Sequence, residues 1–132
     1  MPGTPTLSPG WQTASPQWHF DDRTFERSAA AQDNPDQVAI TIHNYRWRLG
    51  LDKGKARYAP LEARLAQLPP ITVPTITLEG GANSAPHPEP SAYAKRFTGK
   101  YKHELISGGV GHNLPQEAPR AFADAVIEVD HL

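Results

Sequence analysis

The stretch GGVGHNLPQEAPRAFADAV, Gly108–Val126, sets one histidine, His112, between a glycine-rich turn and a proline-started amphipathic segment. An imidazole held at such a turn suits general-base chemistry, because it exchanges its proton near neutral pH. A base of this kind needs two companions. One group orients its second ring nitrogen, and a nucleophile or water gives up the proton. The loop Gly80–Pro90 holds Asn83 and Ser84, and Ser107 lies just ahead of the glycines. Neither serine sits in a G-x-S-x-G elbow, so a serine–histidine pair built from them would be accidental. His43, Tyr45, Arg46 and Trp47 form a second polar and aromatic group, suited to touching a substrate if it faces one. If it does not, Tyr45 packs on a helix face and the others are solvated. His19, His87, His103 and His131 show no metal-ligand spacing, so no metal site is expected.

The elements that must hold these residues follow from periodicity and punctuation. Asp21–Ala31 fits a short helix started by Asp21 or Asp22. Asp33–Gly50 carries the strongest helical signal: Asn34 as N-cap, Pro35 at the first position, Asp36 at the positive end of the dipole, and Gly50 as a left-handed stop. Val38, Ile42, Tyr45 and Leu49 share one face there. Tyr58, Leu61, Leu65 and Leu68 predict a second helix, ended by Pro69–Pro70. The pattern then changes. Ile71–Gly81 alternates, with Ile76 and Leu78 to one side and Thr75 and Thr77 to the other, as in a strand. Pro90–Gly99 predicts a short helix with Ala94 and Phe97 inward, and Tyr101–Gly109 a second strand. A last helix over Pro115–Val129 is expected to bury Ala118, Phe122, Ala125, Val126 and Val129. The class is α/β: helices first, then a β-α-β-α unit of a parallel sheet. In such folds chemistry gathers in the loops at the carboxyl ends of strands, here Gly80–Pro90 and Gly108–Leu114.

Composition narrows the function classes. A chain of 132 residues with a net charge of −1 predicts one domain and gives no reason to expect nucleic acid or an anionic membrane as partner. The absence of cysteine removes disulfide and thiolate chemistry and fits a cytoplasmic location. No apolar run approaches the ~20 residues of a membrane span, and the N-terminus does not read as a signal peptide. Three segments emerge: a Pro-rich irregular stretch over residues 1–20, a helical segment over 21–70, and the β-α-β-α part over 71–132. Trp11, Trp18 and Phe20 are costly to leave in water, so part of the first stretch is expected to lie on a partner surface.

PPITVPTITLEGGANSAP, YAKRF and HELISGGVGHNLPQEAPRAFADAV together resemble the C-terminal part of an α/β-hydrolase. Within that superfamily they are most similar to the branch holding epoxide hydrolases, haloalkane dehalogenases, haloperoxidases and related esterases. The upstream FDDRTFERSAAAQDNPDQVAITIHNYRWRLG resembles the helical cap of that branch. The resemblance implies a partial α/β-hydrolase fold, with His112 as general base and His43, Tyr45 and Trp47 near substrate. It implies no cofactor, and small, fairly apolar epoxides, esters or halides as substrates.

Two departures carry chemical weight. Asn83 stands where the family's orienting acid commonly lies. An amide can hold an imidazole, but it brings no charge to stabilise an imidazolium; the corresponding Asp-to-Asn change in a serine protease, the standard worked case, costs about four orders of magnitude. The nucleophile elbow and the oxyanion-hole motif are not found in these residues, nor are the strands that precede them. The first strand would then present unpaired backbone, and a two-stranded parallel sheet is expected to need support. A second copy or a complementing N-terminal half would supply it. The expectation is a chain inactive alone, with a non-catalytic interaction module or a truncated gene product as the alternatives.

Overall fold

The computed structural model describes residues 8–132. Residues 1–7, the start of the stretch expected to be irregular, lie outside the described residues. The chain forms two compact units: Phe20–Pro69, and the residues through His19 together with Pro70–Leu132.

In the Phe20–Pro69 unit, α2 (Asp22–Ala30) starts where expected. Asp21 caps it, its side chain accepting the Thr24 N–H at 2.8 Å. Those hydrogen bonds hold the Asp21 carboxyl below the usual carboxylate range. Phe25 is buried, with Phe20 stacked on it at 6.4 Å. Helix α3 spans Gln37–Arg48, later than Asn34 and Pro35 imply. The Asn34 side chain accepts the Asp36 N–H at 2.9 Å, a local turn that competes with capping. Gly50 does adopt the left-handed conformation, φ +72°. A 3₁₀ turn over Ala56–Tyr58 leads into α4 (Ala59–Leu65). This helix ends before the prolines, and Leu68 has a φ of +51°.

The face predicted for α3 is not buried. Val38, Ile42, Tyr45 and Leu49 are 54–72% exposed, and Tyr58, Leu61, Leu65 and Leu68 are exposed as well. Periodicity aligned these side chains correctly along a stripe, but the rest of the Phe20–Pro69 unit brings no surface to cover it.

The other unit opens with a correction. Ser8–Ala14 is a helix, α1, not irregular chain. Its internal proline, Pro9, falls in the first turn, where no N–H is needed. Trp11 and Trp18 stack on each other at 5.0 Å, so part of their apolar surface is covered from within the chain. Strands β1 (Thr75–Gly80) and β2 (Tyr101–Ile106) pair in parallel, in register from Thr75 with Tyr101 to Gly80 with Ile106. The connection between them holds α5 (Pro90–Tyr93) and a 3₁₀ turn over Ala94–Arg96, after which Phe97 stacks on Tyr101 at 4.1 Å.

The final helix is broken in two, α6 (Leu114–Glu117) and α7 (Pro119–Val129). Pro119 disfavours helical geometry at the residue before it, and Ala118 sits at φ −134°, ψ 59°. Of the five residues expected in the core, Ala125 is buried and Ala118 and Val129 are half-buried. Phe122 and Val126 are exposed. Two strands are too narrow a sheet to cover an 11-residue helix face.

Among the described residues, Phe25 and Ala125 are the buried apolar side chains. No helix among the described residues is long and apolar enough to cross a membrane.

Candidate active site

His112 lies in the loop after β2. Gly108 and Gly109 both take φ +82°, a conformation L side chains rarely adopt, and turn the chain back toward the end of β1. The loop then runs so close to that strand that a Cβ on Gly80 would sit 2.1 Å from the Gly111 carbonyl oxygen. On the other side, a Cβ on Gly111 would sit 2.6 Å from the Ser15 Cα. Three segments far apart in sequence meet here, and glycine is what lets them meet.

The imidazole reaches the loop after β1. His112 Nδ1 lies 3.2 Å from Asn83 Oδ1. The same amide oxygen accepts the Ala85 N–H at 3.0 Å, which fixes which end of the amide faces the ring. An amide oxygen can only accept, so Nδ1 carries a hydrogen, and in the neutral ring Nε2 keeps the free lone pair. That is the tautomer a general base needs. Asn83 therefore orients the ring without adding negative charge.

The backbone around His112 is held by two further side chains. Ser15 is 1% exposed. Its hydroxyl donates to Glu117 Oε1 at 2.6 Å and accepts from the His112 N–H at 2.8 Å and from Asn113 Nδ2 at 3.1 Å. Glu117 also accepts the Gly111 N–H at 2.7 Å and the Asn113 N–H at 2.8 Å. One donor and two acceptor sites exhaust a hydroxyl, so Ser15 is not available as a nucleophile.

The loop carrying Asn83 is pinned in turn. His87 Nδ1 donates to the Ala85 carbonyl at 2.7 Å, and His87 Nε2 meets Glu79 Oε1 at 2.6 Å. The Ala85 carbonyl first, then the Glu79 carboxylate, hold the imidazolium form of His87 above the ordinary histidine range. His103 approaches the other oxygen of Glu79 at 3.7 Å, and its Nδ1 lies 3.0 Å from the Thr77 hydroxyl. Ser84 donates to the Thr13 carbonyl, which ties this loop to the end of α1 and places its hydroxyl away from a nucleophile's role.

His112 also borders an apolar cleft of about 380 Å³, lined by Ile76, Leu78, Leu114, Phe122 and Val126 among others. These residues come from β1, α6 and α7, and His112 is the ionisable group among the lining residues. Such a lining has the character of uncovered core. In the Phe20–Pro69 unit, His43 and Trp47 line a separate cleft of about 540 Å³ with Ile40, Asn44, Lys55 and Tyr58. Tyr45 is not part of it. His43 and Arg46 both face Asp52, at 3.3 and 3.6 Å.

The sequence singled out His112 and Asn83, and the structure brings them together. It missed Ser15 and Glu117. Glu117 had a signal, as the acid two residues before Pro119 in E-x-P. Ser15 had none, since its partners lie about a hundred residues away.

No protein-family model and no curated protein matches the sequence. Among solved structures, the chain is similar to a Klebsiella pneumoniae protein described as a "putative epoxide hydrolase", at 63% identity and a TM-score of 0.93 over 95% of this chain. The match covers 41% of that protein, so this chain spans about two-fifths of its length.

Proposed function

We propose that this chain is the histidine-bearing part of a hydrolase acting on small, fairly apolar epoxides, or on related esters or halides. His112 is the general base at Nε2, Asn83 orients it, and the Phe20–Pro69 unit, through His43, Trp47 and Tyr45, contributes contacts to substrate. The nucleophile and the oxyanion donors come from residues outside this sequence. The observation that carries the reading is the His112–Asn83 pair, formed at the carboxyl ends of two parallel strands in a chain 63% identical to the Klebsiella protein. The 41% coverage supports completion by residues outside this sequence.

The test is complementation. The chain is mixed, or co-expressed, with the remaining part of the Klebsiella protein and assayed against styrene-type epoxides and aryl esters. The expected outcome is no turnover from the chain alone, turnover from the mixture, and its loss with His112→Ala. Turnover that survives His112→Ala overturns the proposal. The exposed apolar stripe of α3 favours a second reading, an interaction module that pairs without catalysis. A stable homodimer with no activity in any mixture would select it.

A further inference from the structure

We propose that Ser15 and Glu117 are positioning residues for His112: they grip the backbone of residues 111–113 so that the imidazole meets Asn83. The proposal rests on the reading of His112 as a base oriented by Asn83 and goes one layer further out. Three consecutive backbone N–H groups, those of Gly111, His112 and Asn113, all point at the Ser15–Glu117 pair. The two side chains are joined to each other at 2.6 Å. The N–H groups of Gly111 and Asn113 converge on the Glu117 carboxylate, and the one between them, on His112, meets the Ser15 hydroxyl.

A simple helix cap does not account for this arrangement. Capping α6 explains the bond from the Asn113 N–H to Glu117, four residues on. It does not explain why the second carboxylate oxygen holds Gly111. Nor does it explain why a hydroxyl from 97 residues upstream is buried to 1% to hold His112 itself. Burying a hydroxyl is costly unless every hydrogen-bonding site is met, and here all three are met. Charge-assisted bonds from N–H to carboxylate are about twice as strong as neutral ones, which suits a loop that must not drift. The geometry of the base is thus set by residues on both sides of the Phe20–Pro69 segment in the chain. Any division of the protein within that segment would separate Ser15 from His112.

Two measurements on the 132-residue chain test this. The first uses the unaltered protein. Amide exchange at Gly111, His112 and Asn113 is expected to be slowed by on the order of 10- to 100-fold relative to an open loop. Exchange at open-loop rates overturns the proposal. The second reads the His112 tautomer from long-range ¹H–¹⁵N imidazole spectra above neutral pH. The unaltered chain is expected to show the Nδ1–H form, whereas an unheld histidine side chain in water favours Nε2–H. Ser15→Ala and the near-isosteric Glu117→Gln are each expected to shift the ratio toward the free value, with Asn83→Ala as the reference for an unheld ring. If Asn83→Ala shifts the ratio and the other two do not, the positioning role is wrong and the His112–Asn83 pairing stands. If Asn83→Ala changes nothing, the underlying reading of the site fails.

Discussion

Replacing Gly80 by alanine tests whether the close approach of β1 and the histidine loop holds His112 in place. Gly80 is buried at the end of β1, and an added Cβ would lie 2.1 Å from the Gly111 oxygen and 2.6 Å from the Val110 oxygen. Both neighbours are backbone atoms, so no side chain can swing aside. Ordinary contact begins near 3.4 Å, so the loop must retreat by about 1.3 Å. Overpacking of this kind costs typically 1–3 kcal/mol. For a unit of this size that lowers the melting temperature by about 4–8 °C per kcal/mol. The same retreat carries His112 from 3.2 Å beyond hydrogen-bonding reach of Asn83 Oδ1. Thermal melts followed by circular dichroism, with the His112 tautomer read by NMR on the same samples, check both consequences. A Gly80→Ala chain that melts within a degree of the parent, with the Nδ1–H form of His112 intact, refutes the reasoning.

Three further outcomes follow from the geometry. Asn83→Asp supplies the missing negative charge beside His112, and in the complemented enzyme it is expected to raise turnover by two orders of magnitude or more, part of the ~10⁴-fold that an orienting aspartate is worth elsewhere; a drop in turnover would contradict the role given to Asn83. The stabilisation from His87 rests on a proton held above the usual histidine range, so it is fully present below the unfolded histidine pKa and fades as pH rises through the raised folded value; melts of the parent and His87→Ala across pH 5–9 should therefore differ most at the acid end and converge at the alkaline end. For the cap of α2 the sign is opposite: the Asp21 carboxyl is depressed, so its contribution is present above the unfolded aspartate pKa and lost as pH falls through the lowered one; Asp21→Ala should reduce helicity at neutral pH and match the parent in strong acid.

Several features were legible because they are local. Asp21 starts α2, Gly50 closes α3 in a left-handed turn, and the alternation around Ile76 and Thr77 marks β1, each through bonds or sterics within a few residues. The split of the last helix was equally local, since Pro119 dictates it, but the apolar spacing across Ala118 masked the break. The resemblance to hydrolases pointed to His112 and Asn83, and the match to the Klebsiella protein accords with its coarser content.

Burial and the outer support of the site were another matter. Periodicity states which side chains of α3 share a stripe; only the tertiary structure states whether a surface lies over that stripe, and Val38, Ile42, Tyr45 and Leu49 remain exposed. Ser15 looks like any serine in a proline-rich stretch. It became a buried anchor only once folding brought it to residues 111–117. A residue's type and spacing set what chemistry it can do and which local conformation it prefers. Which partner it meets across a hundred residues is decided by how the chain folds back on itself.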